Sequence, residues 1–197
     1  MDVPIRPTMS LICSIIQASA QSAETVVFKG MFDYSRGHQN WFTFDFKTSP
    51  TFNCLAFHII VSYHSRNITG LCQLLDFMSA NPSTAGVPVF RIVFVVPYVV
   101  AFDLTRKNTE GFAGLHDMIA ESAVWAQLDY ILHSARHLPS AAHRVEIVLQ
   151  TLDEELTTTA VALSLDEIRK QMPLTSTDGI LVCHHYLSVD GDIYEVL

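Results

Sequence analysis

The sequence predicts an α/β protein with a mixed sheet of about five or six strands and flanking helices. Three observations carry this. Val89 to Pro97 is an almost wholly apolar, β-branched run near mid-chain. A strand of that composition is covered on both faces and sits at the centre of a sheet. Cys54 to Tyr63 is a second strand-forming run, and an apolar-periodic segment between the two marks a helix. Strand, helix, strand is a βαβ unit with parallel neighbours and a right-handed crossover. Pro97 has no N–H for a ladder, so the central strand ends there.

The other elements follow in chain order. Residues 1–9 read as a tail. Residues 10–22 read as an amphipathic helix with Leu11, Ile12, Ile15 and Ile16 inward. The same stretch ends Ala18-Ser19-Ala20, which has the form of a signal-peptidase site, but Asp2 and the polar Ser10, Ser14 and Gln17 spoil a leader. Glu24 to Met31 reads as a strand. Trp41 to Lys47 alternates, with Phe42, Phe44 and Phe46 on one side, so it predicts a half-buried strand in a hairpin with residues 54–63. Ile68, Leu71, Leu74, Leu75 and Met78 form the core stripe of a helix over 66–79. Phe112 to Leu132 repeats at three and four residues within a long helix over 111–137. Residues 140–159 are expected to be helical, despite a brief alternation at 144–149, because Asp153-Glu154-Glu155 continues in helical style. Ser164-Leu165-Asp166-Glu167 resembles a helix cap. Residues 179–189 and 193–197 form a closing hairpin around Asp190-Gly191, which either extends the sheet or stands as a small unit. The whole, 1–197, reads as one domain.

Composition narrows the function. Of 197 residues, 49% are hydrophobic and 16% charged, and the formal net charge is −8. Such a chain supports a large core and an apolar surface for a protein partner. Its acidity opposes broad electrostatic binding of nucleic acid, though a local basic patch is compatible with it. No apolar run approaches the length of a membrane span. Cys13, Cys54, Cys72 and Cys183 make no CxxC pair, so they read as buried thiols in a reducing, intracellular setting. Asn67-Ile68-Thr69 fits a glycosylation sequon, a triplet common by chance.

The nine histidines offer a further set of candidates. His133 and His137 stand four apart on a helix, a spacing that can chelate zinc, with His143 beyond. The intervening Ser134-Ala135-Arg136 lacks the glutamate of a zinc protease. His184 and His185 are adjacent on a strand and therefore point to opposite faces. Cys183-His184 has no nucleophile elbow. The remaining candidate is Asp45 on one strand with His58 on the next, the layout of a metal-dependent nuclease. There carboxylates hold Mg²⁺ and a lysine orients water. His58 stands where an acid or amide belongs, and Ile60 where the lysine belongs.

Phe57-His58-Ile59-Ile60-Val61-Ser62-Tyr63-His64, Gly70-Leu71, and Arg91-Ile92-Val93-Phe94-Val95-Val96-Pro97 resemble the core of Crinkler and retrotransposon-hot-spot proteins over about residues 40–105. Ser62 and His64 match that pattern; His58 and Ile60 depart from it. No P-loop of the family's partner ATPase occurs. The resemblance implies a restriction-endonuclease-like fold and a host-directed effector, intracellular in cytoplasm or nucleus, including after secretion into a host. The expectation is an effector-like or accessory interaction protein without catalysis, with a protein partner. One alternative is a Mg²⁺-dependent nuclease using Asp45, His58 and His64, with Asp45 and His58 on the metal. Another is an unrelated viral or fungal accessory scaffold.

Overall fold

The computed structural model describes residues 24–28, 53–61, 68–82, 87–96, 115–135, 143–151 and 158–187. Five strands are present among them: β1 (Thr25–Phe28), β2 (Cys54–Ile60), β3 (Val89–Val96), β4 (Arg144–Thr151) and β5 (Leu181–Leu187). They form one sheet in the order β1-β2-β3-β4-β5, and every neighbouring pair is parallel. Val89–Val96 is thus the middle strand, as its composition predicts. Residues 41–47 and 193–197 fall outside the described residues, as do the tail and the helix at 10–22. The hairpin expected between 41–47 and 54–63 is nonetheless corrected: residues 54–57 are already paired on both sides, to β1 and to β3, and both ladders are parallel.

The connections carry α1 (Ile68–Ala80), α2 (Ser122–Ala135), α3 (Thr158–Gln171) and the short α4 (Pro173–Thr177). A helical stretch over residues 115–120 precedes α2, separated from it at Glu121. The long helix expected over 111–137 is therefore two pieces, pinned together by the Trp125 indole N–H, which donates to the Met118 carbonyl at 2.9 Å.

The strand order decides where the helices lie. Each described crossover steps in the same direction across the sheet, and right-handed crossovers then put the described helices on one face. Burial agrees. Leu55, Phe57, Ile59, Phe90, Ile92, Phe94, Val145, Ile147 and Leu149 share one core with the apolar stripes of α1, α2 and α3. The alternate positions Val93, Val95 and Val148 form a separate small cluster on the opposite face. Phe57 is the hub of the main core. Its ring centroid lies 5.1 Å from Phe28, 5.3 Å from Phe77 and 5.3 Å from Phe90.

Two further sequence expectations are corrected. Residues 144–151 are a strand, where a helix over 140–159 was expected. The alternation Val145, Ile147, Leu149 against Glu146, Val148, Gln150 is a true period of two, and all of these residues are buried between β3 and β5. Ser164 also does not cap a helix start. It lies inside α3, where its hydroxyl donates to the Ala160 carbonyl at 2.9 Å. The cap that matters comes from elsewhere. Pro173 opens α4, and no side chain of its own segment caps it. Asp129 of α2 does so from across the core. It accepts from Leu174 N at 2.8 Å, Thr175 N at 2.9 Å and Thr175 Oγ1 at 2.7 Å. Gly179, at φ +71°, then turns the chain into β5 with the left-handed backbone that glycine adopts without strain.

Candidate functional site

The face of the sheet opposite the described helices can be read in rows, because the parallel register places residues side by side. Nearest the amino ends lies Cys54–Val89–Arg144, then Ala56–Arg91–Glu146–Val182. Next come His58–Val93–Val148–His184 and finally Ile60–Val95–Gln150–Tyr186. The first two rows hold charge. Arg91 Nε donates to Glu146 Oε2 at 2.6 Å, and Arg144 Nε pairs with Glu146 Oε1 at 3.0 Å. Arg144 Nη2 also donates to His184 Nε2 at 3.4 Å. Both oxygens of Glu146 are thereby engaged, which makes this a cross-strand brace over β3, β4 and β5. Burial pushes the Cys54 thiol up; Arg91 opposes that and Glu146 adds to it. Such a thiol stays protonated and unreactive at neutral pH.

The last row is different. Gln150 is fully buried, and neither its Oε1 nor its Nε2 has a hydrogen-bond partner among the described residues. Its in-register neighbours are Val95, buried, and Tyr186, 41% exposed. On the helix face at the same end, Thr151 Oγ1 and His185 Nε2 share a hydrogen bond of 2.9 Å.

A groove of about 350 Å³ lies between the carboxyl-terminal turns of α1 and α2. Met78, Pro82, Ile131 and Ala135 make it apolar, Ser79 and Ser134 add hydroxyls, and Tyr130 stands beside it 65% exposed. Asn81 closes α1 at its edge by donating Nδ2 to the Phe77 carbonyl at 3.0 Å, and Pro82 follows.

The sequence candidates distribute as follows. Asp45 and His64 lie outside the described residues. His58 is buried in the middle of β2, 2% exposed, with Val93 beside it in register. The nearest carboxylate in those rows, Glu146, is two strands away, about 10 Å, and is held by two arginines. An imidazole in an apolar row is also a poor match for Mg²⁺, which takes oxygen ligands. Among the described residues no three His, Cys, Asp or Glu side chains are placed to hold a metal. His133 is engaged by Asp178 at 2.7 Å, and His137 is outside the described set. His184 and His185 do point to opposite faces, toward Arg144 and Thr151. Cys183 lies toward the helix core, away from His184, and burial pushes its thiol up while Arg169 opposes.

Sequence reasoning missed Gln150, Glu146, Arg144 and Asp129. The alternation at 144–149 was the available signal for the first three. Nothing local marks Asp129, because its partners are 45 and 46 residues away. Among the described residues no helix is long and apolar enough to cross a membrane. No protein-family model, curated protein or solved structure matches the chain.

Histidine gives the fold a pH dependence. His143, half-buried, donates Nδ1–H to the Val87 carbonyl at 3.1 Å. Burial lowers its pKa from 6.5, against the raising effect of the Val87 and Leu132 carbonyls. His185 is lowered by desolvation as well. With folded values below 6.5, the unfolded chain binds protons first as pH falls. Stability from these groups is complete above about pH 6.5 and declines as pH drops through the folded values. Thermal melts should therefore be flat from pH 8 to 7 and fall below 6.5. The slope should shrink in His143→Gln, and an unchanged slope would assign the acid sensitivity to other groups.

Proposed function

We propose that the chain is a non-catalytic interaction protein, effector-like or accessory, whose groove between α1 and α2 takes the apolar side chains of a partner helix. The groove is the observation that carries this reading. It combines an apolar lining with an exposed tyrosine, and tyrosine is enriched at contact surfaces because it offers area at low entropic cost. A cleft of this kind suits helix-in-groove recognition, in which apolar residues at i and i+4 enter together. The net charge of −8 favours a partner helix with a basic outer face.

The description as a degenerate nuclease-type scaffold, acting intracellularly in a host, rests on the resemblance of residues 40–105 alone. The paired roles of Glu146, Asp129 and Asp178 support a structural use of the acidic groups among the described residues.

Two measurements test the reading. A displayed library of helical peptides selected on the immobilised protein should enrich basic sequences with apolar i, i+4 pairs. Those peptides should bind Tyr130→Ala at least tenfold more weakly. Equal binding to the variant, or no enrichment, would remove the groove as the site. A plasmid-cleavage assay with Mg²⁺ or Mn²⁺ should show no activity that Asp45→Ala abolishes; Asp45-dependent cleavage would establish the nuclease alternative instead.

A further inference from the structure

The last row of the sheet face opposite the described helices points to a small-molecule site separate from the groove. An unpaired buried amide costs about 1–3 kcal/mol in lost hydration. Gln150 bears that cost at both ends of its side chain. It does so at the carboxyl end of β4, between β3 and β5, and carboxyl ends of parallel strands are where open α/β sheets bind ligands. We infer that Gln150 is the recognition group of a site for a neutral planar molecule carrying a lactam, amidine or carboxamide edge, of which nucleobases are the common source.

Three features select this chemistry. A carboxamide held on a strand offers a donor and an acceptor side by side, so its complement presents an acceptor and a donor side by side. This is the pairing by which glutamine reads an adenine edge. The surroundings select a neutral partner. Val95 lies beside Gln150, and Val93 and Val148 occupy the centre of the row before it, between His58 and His184. The charged row of Arg91 and Glu146 is four residues back along the strands, about 13 Å, and is internally paired. An ionised ligand in the last row, Ile60–Val95–Gln150–Tyr186, would have no charged side chain beside it in register. Tyr186 supplies the third feature. Its ring is next to Gln150 in register on β5, is 41% exposed, and offers an aromatic face for stacking. Gln150 is fully buried, so binding requires a local opening at this end of the sheet.

The test uses the full chain and four probes: adenine, uracil, benzamide and toluene. Binding is followed by the side-chain amide resonances of ¹⁵N-labelled glutamine and by thermal shift. At least one of the first three should saturate and move the Gln150 resonances, and toluene should not. Gln150→Leu should weaken that binding at least tenfold while its own melting temperature stays equal to wild type or rises, since it removes an unpaired amide. Tyr186→Ala should weaken binding several-fold. The inference is overturned if no probe moves the Gln150 signals at millimolar concentration. Toluene binding as tightly as the amides, or Gln150→Leu retaining affinity, would overturn it equally. So would a Gln150→Leu protein less stable than wild type, because the amide would then have a partner in the fold.

Discussion

Phe57→Ala is expected to destabilise the protein by about 3–5 kcal/mol, the range for emptying an aromatic site in a packed core. Against a typical total of about 5–15 kcal/mol for a domain, that is a large share. The reason is local. Phe57 is fully buried on β2, stacks against Phe28 of β1 with rings 7° from parallel, and meets Phe77 of α1 and Phe90 of β3. One truncation therefore loosens the contacts of two neighbouring strands and a helix together. Urea denaturation should show a lower midpoint with an unchanged slope, and Phe57→Leu should lose no more than about 1.5 kcal/mol. An alanine variant within about 1 kcal/mol of wild type would mean that the site collapses around the gap, and that Phe57 is not the hub described.

Asp129→Ala should cost about 3 kcal/mol. It leaves three donors without their acceptor in a buried place: the Leu174 and Thr175 amides and the Thr175 hydroxyl. The damage should be concentrated at α4. Amide hydrogen exchange at Leu174 and Thr175 should accelerate far more than exchange in β3. Thr175→Val, which removes only the hydroxyl that faces Asp129 and the Met172 carbonyl, should cost about 1 kcal/mol. If both amides keep their protection in Asp129→Ala, the carboxylate is not the cap that holds α4.

The two cases differ in how far they could be read in advance. Phe57 lies in a strand that composition identifies, so its burial was expected; its aromatic partners were not. Asp129 carried no local signal at all. It sits on a helix whose apolar stripe was legible, and only the docking of α4 against α2 shows why an acid belongs there. The strand at 144–151 lies between these cases. Its alternation was visible, yet the acidic residues after it pulled the reading toward helix, and the ladders to Arg91 and Val182 were needed to reveal a strand. Of the candidate site, His58 was placed correctly on β2, but its buried, valine-flanked position could not be inferred from spacing. Gln150 went unnoticed because nothing in the sequence distinguishes a glutamine left unpaired in the core from one in water.

By itself, then, the sequence determined the α/β class, the central place of Val89–Val96, the parallel β2–α1–β3 unit and the apolar stripes of α1 and α2. These are consequences of short-range periodicity and strand propensity. The tertiary structure alone decided that the five described strands follow one another in order, with the described helices on one face. It also decided that Asp129 caps α4 from another element, and that an arginine–glutamate brace and an unpaired glutamine share the other face. Each of these depends on pairing between residues far apart in the chain, and pairing of that kind leaves no periodic trace.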